Sequence, residues 1–127
     1  MREYEVVVVV EPMATEVYLK ELDKRVSKLV ETYKGHLFFV RPWGKRAFAY
    51  PIKKKKEGFY IHYDFSGDGA MVTELERQLR LDEKILRFIT VQIADKVDIA
   101  ARKEQLEKQL EQQLIAKQAL EVTHAGS

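Results

Sequence analysis

Between positions 41 and 56 the chain carries seven cations and no acid: Arg41, Lys45, Arg46, Lys53, Lys54, Lys55 and Lys56. Trp43, Phe48 and Tyr50 are interleaved with them. Lysine and arginine neutralise phosphates and exposed rings stack on bases, so this mixture has the chemistry of an RNA surface. The same residues also suit a solvated hairpin with a charged tip. For Phe48 and Tyr50 we take the core reading; for the lysine run both readings stand. Arg46 is the better RNA candidate, because a guanidinium forks onto phosphate and also stacks on planar groups.

Arg2 and Arg87 are a second candidate pair. Each lies on an expected strand, and if the first and last strands are neighbours the two fall on one edge. Arg87 sits among Ile85, Leu86, Phe88 and Ile89, so it is expected to face away from the core. A surface arginine bonded to Glu3 or Glu5 explains these positions nearly as well.

Catalytic chemistry finds little support. His36, His62 and His124 are far apart and lack the spacing of a metal site. Ser27 falls within an expected helix and Ser66 in a turn, neither with the context of an activated nucleophile. Gly67-Asp68-Gly69 is too short for a phosphate-binding loop and works as a turn with a cap. Asp82 and Glu83 are adjacent, and adjacent residues do not share a helix face. The chain has no cysteine, which removes disulfides and thiolate chemistry. No enzyme activity, metal or cofactor is expected.

These residues need elements to hold them. Residues 4–10 are β-branched almost throughout, which suits a strand covered on both faces. Thr15 can cap a helix whose apolar stripe is Tyr18, Leu22, Val26, Leu29 and Tyr33, with Gly35 as its left-handed C-terminal cap. Residues 37–52 read as one long strand kinked at Pro42 and Gly44. Residues 53–58 form a charged turn. Residues 59–65 then put Phe59, Ile61, Tyr63 and Phe65 on one face and Tyr60, His62 and Asp64 on the other. Asp68 can cap a second helix with the stripe Met71, Leu75 and Leu79, and residues 85–93 supply a last strand. The order is β-α-β-β-α-β, the split βαβ or ferredoxin-like plan: an α+β fold with a four-stranded antiparallel sheet and two helices on one face. The other face is left free.

The 127 residues divide into an expected domain at 1–95 and a helical extension at 96–127 with a frayed end from Thr123. The extension holds five basic and five acidic residues, and Leu106, Leu110 and Leu114 recur every fourth position. A net charge of +2 gives no global argument for nucleic acid, so local charge placement must carry it. The apolar run 6–10 is too short for a signal peptide or membrane span, so a cytoplasmic location and no membrane partner are expected.

Gly44-Lys45-Arg46-Ala47-Phe48-Ala49-Tyr50-Pro51-Ile52 closely resembles the signature of bacterial small-subunit ribosomal protein six, Gly-x-Arg-x-Leu-Ala-Tyr-x-Ile. Met1-Arg2-Glu3-Tyr4-Glu5 resembles that family's opening, and 75–87 is similar to its stretch from second helix to last strand. The resemblance covers residues 1 to about 93. It implies the same fold and a role as a structural constituent of the small ribosomal subunit. It further implies binding to the central domain of small-subunit ribosomal RNA together with small-subunit protein eighteen, with Arg2, Arg46 and Arg87 in the RNA role. Phe48 stands where the family has leucine, and the helical extension departs from the family's usual tail. Residues 34–40 faintly echo the RNA-recognition motif, but on the second strand rather than the third. A free-standing module of that kind is the alternative. A small ferredoxin-like enzyme such as an acylphosphatase is disfavoured by Glu11, an acid where that chemistry needs a phosphate-cradling loop.

Overall fold

The valine run of residues 6–10 lies where its composition requires, inside a sheet. The computed structural model describes the backbone of residues 1–125 and the side chains of residues 1–116. Strand β1 (Arg2–Val10) is followed by helix α1 (Glu16–Thr32), strands β2 (His36–Ile52) and β3 (Lys55–Gly67), helix α2 (Gly69–Leu81), strand β4 (Ile85–Ala94) and helix α3 (Ile99–Ala125). The four strands form one antiparallel sheet in the order β2-β3-β1-β4, so β1 is internal. This is the ferredoxin-like α+β plan.

Alternation decides what each face of the sheet carries. Tyr4, Val6, Val8 and Val10 of β1 join Ile61, Tyr63 and Phe65 of β3 in the core, with Phe59 packed beside them. Helix α1 covers them with Tyr18, Leu22, Val26 and Leu29, and α2 with Met71, Leu75 and Leu79. Burying each such aliphatic side chain contributes about 1.5–3 kcal/mol, which makes this layer the main source of stability. Both helices start where a side-chain oxygen accepts an orphan N–H: Thr15 Oγ1 from Tyr18 at 3.2 Å, and Asp68 Oδ1 from Met71 at 2.8 Å.

Three local expectations are corrected. The left-handed residue after α1 is Lys34, with φ of 60°, rather than Gly35. Glycine is needed at position 35 for space instead, because a Cβ there would collide with the carbonyl oxygen of Ser66. The charged turn is only two residues long. Lys53 and Lys54 have φ of 49° and 66°, the paired left-handed geometry of a tight hairpin turn, and β3 already begins at Lys55. Tyr50, read as a core ring, is 82% exposed.

The chain divides after Val97. In the second unit Asp98 Oδ1 accepts the Ala101 N–H at 3.1 Å and so caps α3. That helix continues to Ala125, past the start of the expected frayed end. Leu110 and Leu114 are exposed and Leu106 is half-buried. The side chain of His124, and the chain end after residue 125, lie outside the described residues.

Candidate nucleic-acid interface

The sheet face opposite the helices is built in rows, because residues paired across antiparallel strands share a face. Running from β2 to β4, one row is Arg41, His62, Val7 and Ile89. The next, toward the hairpin, is Gly44, Tyr60, Val9 and Arg87, and Arg46 lies opposite Gly58 beyond it.

A bulge brings Arg46 into this arrangement. Between Pro42 and Gly44 the β2–β3 register shifts, leaving Trp43 as the extra residue, and Gly44 takes φ of 83°. One extra residue flips every later side chain to the other face. Without the shift, Arg46 would share a face with Pro42, which lies opposite the core residue Ile61. With it, Trp43 and Arg46 stand together on the open face, and the Arg46 guanidinium lies 5.3 Å from the centre of the Trp43 ring. Lys45, opposite Phe59, is turned to the other face.

An aromatic layer fills this part of the open face. The Trp43 ring lies nearly parallel to Tyr60, with centroids 6.1 Å apart and planes at 14°, and meets His62 edge-on at 5.5 Å. Phe39 packs edge-on against His62 under the Arg41 guanidinium, which is 3.9 Å from the Phe39 centroid. Phe48 leans on Tyr60 and reaches over Gly58 and Val9, so it belongs to this layer and not to the main core. Burial holds the His62 imidazole below its ordinary pKa; Glu5 pulls it up and Arg41 pushes it down with burial. Its Nε2 is 3.6 Å from Glu5 Oε1, beyond hydrogen-bond range, so at neutral pH His62 acts as a ring rather than a charge.

The other expected cations divide. Arg87 is exposed on the open face at the hairpin end of the sheet. The Lys53 ammonium donates to the Ile85 carbonyl at 3.4 Å, which brings the hairpin tip beside the start of β4 and near Arg87. Lys54, Lys55 and Lys56 are exposed at and after the turn. Arg2 is not part of this group. The first and last strands are neighbours, but Arg87 pairs with Val9 while Arg2 begins the same strand seven positions earlier. At about 3.3 Å per residue the two arginines are roughly 23 Å apart along the sheet. The neighbouring Tyr4 side chain holds the Arg2 guanidinium pKa above its ordinary value.

The two ends of this face differ in exposure. Away from the hairpin Glu5 is half-buried, while Glu3 and Asp64 are buried; across the sheet Glu3 pairs with Ser66 and Glu5 with Asp64. Along β4 the face is aliphatic: Ile89 and Val91 are 51% and 49% exposed. Asp82 is structural, as it accepts 2.6 Å hydrogen bonds from Tyr18 and Arg25 and ties α1 to the loop before β4. Among the described residues no cluster of three metal-ligating side chains exists, and no helix is long and apolar enough to cross a membrane.

The cations are legible in the sequence, and the layer beneath them is not. Phe39, Tyr60 and His62 were legible as one face of alternating strands, but their convergence on Trp43 depends on the bulge. The family model described as ribosomal protein S6 matches residues 3–92. The small ribosomal subunit protein bS6 of Geobacter metallireducens is 43% identical over 103 residues, which are 81% of this chain and 87% of that one. The bS6 protein of Desulfatibacillum aliphaticivorans is 38% identical over 108 residues, 85% of this chain but only 58% of its own length. The crystal structure of 30S ribosomal protein S6 from Thermotoga maritima superimposes with a TM-score of 0.66 at 33% identity, covering 85% of this chain and 97% of that one.

Proposed function

The chain belongs to the ribosomal protein S6 family, and from that premise we propose that it binds the central domain of small-subunit ribosomal RNA jointly with small-subunit protein eighteen. It is a structural protein of the small subunit, not an enzyme. The observation that carries the RNA reading is the placement of Arg41, Arg46 and Arg87 on one open sheet face beside the lysine hairpin. Cations gathered on one surface can release counterions from a phosphate backbone together, which scattered ones cannot.

The aliphatic strip on β4 suits the protein partner. Ile89 and Val91 stand on alternate positions at the sheet edge, where an apolar surface of the partner would remove them from water. In this reading residues 1–95 carry both surfaces, and residues 96–127 form a helical extension. Arg2 and Lys45 lie outside the shared surface, so any RNA contact they make is with a different part of the fold.

Small ribosomal subunits washed at high salt test the assignment. The tagged chain is expected to remain with the subunit through the wash and to need protein eighteen for retention. Quantitative release into the supernatant at moderate salt, with or without the partner, would sink it.

A further inference from the structure

We propose that Trp43, backed by Tyr60 and His62 and overhung by Arg46, is a stacking platform for one unpaired RNA base. The inference rests on the RNA reading above and adds what part of the RNA the face recognises.

Trp43 is 41% exposed although two rings hold it. Tyr60 lies nearly parallel to it and His62 meets it edge-on, and both belong to β3, a strand paired on both sides. A ring fixed from beneath with an open surface loses little freedom when a base lies on it. Its position also comes at a local conformational cost: the bulge at Trp43 and the left-handed Gly44 break a ladder that plain pairing would continue. A Cβ at Gly44 would meet nothing within 4 Å, so the glycine is required by its backbone angle and not by crowding. The result of the bulge is that an indole and a guanidinium share one face.

Charge selects the partner class. Arg41 and Arg46 each lie over a ring of this layer, and residues 41–56 contain no acid. A planar base with its phosphate satisfies both groups: the base stacks on Trp43, and Arg46 can cover the base or neutralise the phosphate. An apolar protein surface would cover the ring but strand the two guanidinium groups. The aliphatic strip that suits a protein lies on β4, three strands from β2, or about 14 Å away at about 4.8 Å per strand. Only an unpaired base offers its flat face, so the platform distinguishes single strands, loops and bulges from continuous duplex.

Trp43 is the sole tryptophan, so its emission reports directly on stacking. The full chain is titrated at low salt with a short oligoadenylate single strand and, separately, with an RNA duplex of the same length. Saturable quenching by the single strand and little by the duplex is expected. Trp43→Ala should weaken single-strand binding by roughly 5- to 150-fold, the range of one base–aromatic stack, without changing the salt dependence. Trp43→Phe should retain most of the affinity, and an unchanged circular dichroism spectrum in both variants shows that the fold is intact. If Trp43→Ala binds like the parent while Arg46→Ala binds more weakly, the RNA reading survives and the platform is overturned. Equal quenching by duplex, or a loss in Trp43→Ala seen only for protein eighteen, also overturns it. If neither variant nor parent binds any RNA, the platform is overturned, while the RNA reading is decided separately by binding with protein eighteen present.

Discussion

Asp82 shows how a side chain that suggests catalysis becomes structural once its neighbours are known. Its carboxylate accepts hydrogen bonds from the Tyr18 hydroxyl, the Arg25 guanidinium and the Lys84 backbone N–H. Burial alone would push its pKa up; these three donors outweigh burial and hold it below the ordinary value. A carboxyl whose folded pKa is depressed contributes stability above its unfolded pKa and loses it as pH falls through the folded value. Asp82→Asn should therefore be less stable than the parent at neutral pH. The gap should narrow below about pH 4, where unfolded carboxylates protonate. Urea denaturation across pH measures this, and a gap that stays constant down to pH 2 would reject the network. None of it was legible in sequence, since Arg25 and Asp82 are separated by 57 positions and only the fold joins them. Gly35 was misread for a related reason. Its neighbour in space, Ser66, lies on a strand thirty-one positions away.

At the scale of elements the sequence was far more informative, because periodicity and capping are local. The stripes Tyr18-Leu22-Val26-Leu29 and Met71-Leu75-Leu79 are buried as their spacing requires, and Thr15 and Asp68 both cap. Truncating Ile61 or Leu75 to alanine should cost roughly 2–5 kcal/mol, since each is buried between the sheet and helices. Chemical denaturation decides this, and losses below about 1 kcal/mol would place both on the wrong face. The hairpin was read less well. Proline and glycine announced an irregular strand, but which side chains a bulge redirects depends on the register with the partner strand. That register moved Arg46 to the open face, turned Lys45 away from it, and left Tyr50 in solvent. Shortening the turn to Lys53 and Lys54 likewise required two left-handed lysines, a conformation that residue type argues against.

For the molecule as a whole, the fold was legible and the division of its open face was not. All core residues, among those described, lie between Tyr4 and Phe88. In α3, Leu110 and Leu114 are exposed rather than buried in a core. Deleting residues 98–127 should therefore leave the thermal midpoint nearly unchanged. A fall of more than about 5 °C, roughly 1 kcal/mol for a domain of this size, would show that the extension stabilises the fold. The proposed function places binding on the opposite face of the sheet, where cations and rings gather at the hairpin end and aliphatics line β4. The most direct test is the salt dependence of binding to a central-domain fragment of small-subunit ribosomal RNA, with protein eighteen present. Each lost phosphate contact lowers the slope of log affinity against log salt by about 0.7–0.9. The double variant Arg46→Ala, Arg87→Ala should therefore bind more weakly, with a slope shallower than the parent's by about 1.4–1.8. A double variant with the parent's slope would contradict the assignment of this face to RNA.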